Sequence, residues 1–263
     1  LVDLDVTNSA DTKKNFLYKN LGGNNMELVT GISPVTDLFS SRNVSWSDID
    51  SDGDLDLYVT NENGEKENLY RNNGGGSFEK MTDLIITTDG FNTMSSSWGD
   101  IDNDGDLDLF LANDGSKNQL FRNDGNFVFT RMLTTDVSKV NAKSFSSAWA
   151  DIDNDGDLDL FVTNAFQNGQ RLKNNLYLND GTGHLTEVTN EVVVMDEGWS
   201  YGCAFGDYDN DGFQDLAVAT TRFGNVDEAD YLYHNNGNSN HWLMVSLEGN
   251  VSNKSAIGAK IRV

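Results

Sequence analysis

Apolar and polar positions alternate along this chain in blocks. Four short apolar segments, "LYVTN" from Leu57, "LFLAN" from Leu109, "LFVTN" from Leu160 and "LAVAT" from Leu216, each follow an acidic stretch containing a glycine. They are apolar at consecutive rather than alternate positions, as expected of strands covered on both faces. A second set, "LYRNNG" from Leu69, "LFRNDG" from Leu120, "LYLNDG" from Leu176 and "LYHNNG" from Leu232, reads as strands running into turns. The first three full repeats close with one more aromatic or β-branched segment, such as "FVFTRM" from Phe127. Ahead of each acidic stretch the residues are small: Ser95, Ser96, Ser97; Ser146, Ser147, Ala148; Gly202, Cys203, Ala204. An aromatic (Trp46, Trp98, Trp149, Phe205) precedes the first Asp by two places. The pattern predicts about four short strands per unit and almost no helix.

The first Asp of the acidic stretch falls at 48, 100, 151 and 207, intervals of 52, 51 and 56 residues. A period of this size marks a propeller, solenoid or array. The chain opens inside a further repeat, since "DVTN" from Asp5 matches "YVTN" from Tyr58 and "FLYKNLGG" from Phe16 matches "NLYRNNGG" from Asn68. Small residues suit the crowded axis of a propeller, and strands apolar on both sides suit blades flanked by blades. The expected fold is therefore all-β, a propeller of four-stranded blades. An open stack of β-hairpins is the alternative.

Composition narrows the function classes. A formal charge of −24 argues against nucleic acid and anionic membrane as partners. A hydrophobic fraction of 37% is too high for acidic disorder. No apolar run reaches membrane-spanning length. The lone Cys203 excludes an intrachain disulfide and leaves the redox compartment open. The chain begins without Met or a signal-peptide pattern, which we read as a cut end.

The charge is concentrated in the acidic stretches, which hold 19 of the 42 acidic residues. Numbered from the first Asp, positions 1, 3, 5 and 9 are Asp48, Asp50, Asp52 and Asp56; Asp100, Asp102, Asp104 and Asp108; Asp151, Asp153, Asp155 and Asp159; Asp207, Asp209, Asp211 and Asp215. Position 6 is Gly53, Gly105, Gly156 or Gly212, and position 7 is Asp54, Asp106, Asp157 or Phe213. Carboxylates at alternate positions can wrap oxygens around one hard cation, and the glycine permits the turn that brings round the position-7 carbonyl. Phe213 fits, because a carbonyl ligand is indifferent to its side chain. Ca²⁺, one ion per complete loop and about four in all, is the expected cofactor. Mg²⁺ prefers fewer protein ligands, Zn²⁺ prefers His or Cys, and position 12 lacks the Glu of an EF-hand. A solvated acidic turn is the plainer reading of any single loop.

D-x-D-x-D-G-x-x-D between two strands, at this period, resembles the FG-GAP/VCBS repeat of integrin-alpha-like β-propellers over residues 1–238. The resemblance implies a loop that joins two strands of a blade around one Ca²⁺, and a seven-bladed propeller of which this chain is a part. Residues 239–263, with "NHWLMVSLEGN" and "AIGA", resemble the start of an ASPIC/UnbV domain, which commonly follows such repeats in secreted or surface proteins.

Other candidates are weaker. His234 shares a repeat position with Lys19, Arg71, Arg122 and Leu178, which suggests a permissive surface site. The repeated aromatics read as packing, Trp199 and Trp242 as local features, and Cys203 as a buried structural thiol. The longest variable stretches, Ala165–Lys173 and Arg222–Asp230, are where a partner site is expected. We therefore expect a secreted or cell-surface, calcium-binding scaffold for a protein or carbohydrate ligand, without catalytic residues, nucleic acid or membrane insertion. A carbohydrate-active lyase or hydrolase on the same scaffold is the alternative, and would need polar residues at the axis.

Overall fold

Both-face apolar strands need a neighbour on each side, and the chain provides one by placing sheet against sheet. The computed structural model describes residues 4–6, 14–138, 141–221, 228–243, 245, 247 and 248. The first full blade is the antiparallel sheet Ser41–Ser47, Asp56–Asn61, Asn68–Asn72 and Phe78–Met81, in that order. The second is Thr93–Gly99, Asp108–Lys117, Gln119–Asn123 and Phe129–Arg131. The third is Asn141–Ala150, Asp159–Asn164, Asn175–Asn179 and Leu185–Val188. The fourth shows three strands among the described residues, Ser200–Gly206, Asp215–Thr220 and Tyr231–Tyr233. Ahead of them Leu4–Val6, Phe16–Gly22 and Asn25–Leu28 form the partial repeat that the sequence opens with.

The core lies between blades. Leu109 and Leu111 of one second strand join Ile49, Tyr58 and Phe121 in one cluster. The intervening Phe110 and Ala112 face the other way and join Ile101, Leu160, Val162 and Tyr177 in the next. Period-2 alternation thus feeds two cores from one strand. The repeated aromatics pack as expected: Trp98 meets Tyr58 edge-on at 5.6 Å, Trp149 meets Phe110 at 6.4 Å and Phe205 meets Phe161 at 6.4 Å. The small inner-strand residues bond across blades. Ser45 Oγ lies 2.9 Å from Ser96 Oγ, and Ser97 Oγ lies 2.8 Å from Ser147 Oγ.

Some features go beyond the sequence reading. Every inner strand shifts register at the same place, between Ser41 and Asn43, Thr93 and Ser95, Ser144 and Ser146, and Ser200 and Gly202. Such a repeated bulge bends the strand and frees a hydroxyl for the blade joint. The stretch expected to be a variable loop after Asn164 contains paired strands, Phe166–Gln167 and Gln170–Lys173, the latter also pairing Glu197–Gly198. Residues 222–227 of the other variable stretch lie outside the described residues, as does most of the expected second domain. Cys203 is only half-buried; burial nevertheless pushes its thiol up to about 12.

Candidate metal centres

Each acidic stretch is the hairpin connection between the first and second strands of its blade. The residue before position 1 pairs across the hairpin with position 9: Ser47 with Asp56, Gly99 with Asp108, Ala150 with Asp159 and Gly206 with Asp215. Position 4 (Ser51, Asn103, Asn154, Asn210) takes a left-handed conformation with φ of 56–62°, and the position-6 glycine follows at 91–98°. This turns the backbone N–H groups inward. Asp100 accepts hydrogen bonds from the N–H groups of Asp104 and Gly105 at 3.1 and 3.0 Å, and Asp151 from those of Asp155 and Gly156, both at 3.0 Å. Asp207 does the same for Asp211 and Gly212, and Asp48 for Gly53. The position-5 carboxylate in turn accepts the N–H of position 7 in all four loops.

Position 9 has a second task. Its two oxygens tie the loop to the third strand. Asp108 accepts the N–H of Ile101 at 2.8 Å and that of Asn123 at 2.7 Å, and Asp159 those of Ile152 and Asn179. Asp56 and Asp215 repeat the arrangement. Burial pushes Asp56 up to about 6 and Asp108 and Asp159 up to about 7, against the lowering effect of those N–H groups. At Asp215 burial also pushes up, but the N–H groups of Asn235 and Tyr208 and the His234 ring outweigh it. Position 1 is raised at Asp48, Asp100 and Asp151, by burial first and by neighbouring carboxylates.

In each loop three of the expected ligand residues converge, while Asp56, Asp104 and Asp155 stand outside these groups. One oxygen from each of Asp48, Asp50 and Asp52 lies within 4.8 Å of the others, and the same holds for Asp100, Asp102 and Asp108, for Asp151, Asp153 and Asp159, and for Asp207, Asp209 and Asp211. Oxygens about 2.3–2.6 Å from a shared Ca²⁺ have that mutual spacing. Asp48 Oδ1, Asp50 Oδ1, Asp102 Oδ1 and Asp153 Oδ1 are buried and accept no hydrogen bond. Buried carboxylate oxygens without partners are costly, so these residues fit a hard divalent cation. The position-7 side chains do not join the clusters. Asp54, Asp106 and Asp157 lie against Gly74, Gly125 and Gly181, and Phe213 lies against Gly237. The glycine of each "NNG" or "NDG" turn has a left-handed φ of 69–81°, and at Gly181 and Gly237 a Cβ would also crowd the position-7 side chain.

Three features escaped the sequence reading. His234 is exposed, as its permissive column suggests, but its Nδ1 lies 3.1 Å from Asp215 and 3.6 Å from Asp209, forming a fifth cluster. Trp242 lies across Gly212 of the fourth loop, its ring filling the space where a Cβ would sit. The third-strand asparagine, read as a turn residue, joins blades. Asn123 donates to the carbonyl of Ile49 at 3.1 Å, Asn179 to that of Ile101 at 2.8 Å and Asn235 to that of Ile152 at 2.7 Å. In each case the acceptor is position 2 of the preceding blade's loop.

The family described as FG-GAP-like repeat matches residues 48–111, 100–162 and 165–218. Integrin alpha-4 of Xenopus laevis is 34% identical over 94 residues, 32% of this chain and 9% of that protein. Cartilage acidic protein 1 of Xenopus tropicalis is 27% identical over 183 residues, 61% of this chain and 28% of its own length. The chain thus spans under a third of either relative. A solved structure of an Agrocybe aegerita lectin that recognises non-reducing terminal N-acetylglucosamine superposes with a TM-score of 0.55 at 19% identity, over 90% of this chain and 64% of the lectin chain. That likeness concerns the fold. With three repeats matched across the loops and strands just described, the chain belongs to the FG-GAP-like repeat family.

Proposed function

We propose that the chain is a calcium-binding β-propeller scaffold, secreted or on the cell surface, that holds a protein or carbohydrate ligand and carries no catalytic group of its own. The observation that supports it best is the set of buried, partnerless oxygens on Asp48, Asp50, Asp102 and Asp153, each aimed among further carboxylates. In this reading the ligands are the carboxylates at positions 1, 3, 5 and 9, with the carbonyl of Asp54, Asp106, Asp157 or Phe213. A bound Ca²⁺ supplies the positive charge that offsets their repulsion. The chain's own residues do the rest. Asp108 and Asp159 fix the loop to the third strand, while Asn179 and Asn235 clamp the loop's second residue to the following blade. An ordered loop is therefore also an ordered blade joint.

Integrin alpha-4 and the lectin fold support a binding role, for protein or for carbohydrate respectively. The inner strands present mostly hydroxyls already bonded to each other across blades, which disfavours an enzyme at the axis. Among the described residues no helix is long and apolar enough to cross a membrane. Affinities of extracellular Ca²⁺ modules, about 10⁻⁴–10⁻³ M, suit such a location.

The test is Asp155→Ala, compared with wild type in Ca²⁺ and in excess chelator. At Ca²⁺ near 100 times Kd the lost ion removes roughly 2–3 kcal/mol of stability, and in chelator the two proteins melt alike. Equal losses in both conditions would contradict a structural ion.

A further inference from the structure

The second and third loops are identical in all nine positions, DIDNDGDLD at 100–108 and at 151–159. Whatever distinguishes them as cation sites must come from outside the loop. One neighbour differs sharply. The third-strand residue just before the clamping asparagine is Arg71 in the first blade, Arg122 in the second, Leu178 in the third and His234 in the fourth. The strand register puts this residue beside its own blade's loop. Arg71 lies 2.6 Å from Asp50 and 3.4 Å from Asp52. Arg122 lies 3.9 Å from Asp102 and shares its guanidinium with Asp124 at 2.7 Å. Leu178 lines one groove with Asp153 and brings no charge. Among the described residues, no Lys, Arg or His is within ion-pair distance of the third loop's aspartates.

We propose that this third-strand side chain is a tethered counter-ion that grades the loops, so that the third binds Ca²⁺ most tightly, the second less tightly and the first least. The proposal rests on the loops holding Ca²⁺. An arginine on a ligand carboxylate acts twice against the ion. It stabilises the empty loop by neutralising part of its charge, and it repels the incoming divalent cation. Two such charges roughly 5 Å apart in a largely aqueous setting shift affinity about tenfold. Arg71 contacts two ligand carboxylates and exerts the full effect. Arg122 divides its charge with Asp124 and exerts part of it. Leu178 supplies the third loop with no fixed charge, and His241, which shares a groove with Asp151 and Asp155, makes no ion pair with them, so this loop depends on Ca²⁺ most.

The experiment is a Ca²⁺ titration of the chelator-stripped full chain, followed site by site through the amide signals of Gly53, Gly105 and Gly156. Each of these N–H groups donates to the first Asp of its own loop. The expected result is a Gly156 midpoint at roughly tenfold lower free Ca²⁺ than that of Gly53, with Gly105 between. Arg122→Leu brings the Gly105 midpoint down to that of Gly156, and Leu178→Arg moves the Gly156 midpoint up. Arg122 is partly exposed, so its variant keeps the test usable if Leu178→Arg does not fold. Coincident midpoints for Gly105 and Gly156 in the wild type, or an unmoved Gly105 in Arg122→Leu, would overturn the grading while leaving Ca²⁺ binding intact. No glycine responding to Ca²⁺ at all would instead defeat the metal reading, and the grading with it.

Discussion

Replacing Glu67 by Gln is expected to stabilise this protein increasingly as pH rises. Glu67 stands where three other repeats have Asn15, Asn118 and Asn174 and the fourth blade has Asp230. Those amides donate to a hydroxyl of the next blade, Asn118 to Ser144 at 2.9 Å, and the hydroxyl passes its proton to the second-strand asparagine, Ser144 to Asn164 at 2.8 Å. At Glu67 the equivalent hydroxyl, Thr93 Oγ1, lies 2.6 Å from Glu67 Oε1 and 2.8 Å from Asn113 Oδ1. One hydroxyl proton cannot serve both acceptors, so a protonated Glu67 completes the chain as an amide would. Burial, opposed only by Thr93 and the N–H of Asn61, pushes this carboxyl from 4.5 up to about 8. Because the folded state holds the proton more tightly than the unfolded one, the associated stability is complete below pH 4.5 and is lost as pH climbs to about 8. The loss amounts to about 3 kcal/mol at pH 7 and about 5 kcal/mol above pH 8. Glu67→Gln keeps the geometry and cannot ionise. Urea unfolding of both proteins in saturating Ca²⁺, at pH 5 to 9, reads the difference. It should grow by about 1.4 kcal/mol per pH unit and then level off near pH 8. A difference that stays constant across this range would refute the reasoning.

Three other substitutions, one of them a comparison, probe the joints around the loops. Asn179→Leu removes the donor to the carbonyls of Ile101 and Leu158 and should cost about 2–4 kcal/mol in denaturant unfolding; a loss under about 0.5 kcal/mol would show that the blade clamp carries no weight. Gly181→Ala and Gly115→Ala both place alanine at positive φ, 75° and 81°, but only at Gly181 would the new Cβ meet Asp157, at 2.6 Å. Gly115→Ala should therefore cost about 1 kcal/mol of backbone strain and Gly181→Ala that strain plus the displacement of the Asp157 carboxylate, and a Gly181→Ala that melts above Gly115→Ala would contradict the contact.

The repeat, the strand order within a blade and the converging aspartates are all legible in the sequence, because each is a local pattern at fixed spacing. Leu109 through Ala112 announce a strand buried on both faces, and alternate residues do enter different cores. What stays hidden depends on partners far along the chain. Asn179 reads as a turn residue, and its bond to Ile101 spans 78 residues. The column holding Arg71, Leu178 and His234 looks permissive because no single residue type fills it, yet the register lays it beside the acidic loop. Position 9 is legible as one of the repeated aspartates, but its bonds to two backbone N–H groups require the third strand in place. Glu67 shows only as one of two carboxylates, with Asp230, in a column otherwise of asparagines; its protonation follows from burial, which a sequence does not display.

In the proposed reading each of the four loops holds one calcium ion. Calorimetric titration of the chelator-stripped chain with Ca²⁺, repeated with Mg²⁺, tests it most directly. The expected result is saturable binding of about four Ca²⁺ per chain, one for each D-x-D-x-D-G-x-x-D loop, with little response to Mg²⁺. A folded chain that takes up no Ca²⁺ would contradict it and reduce the loops to acidic turns.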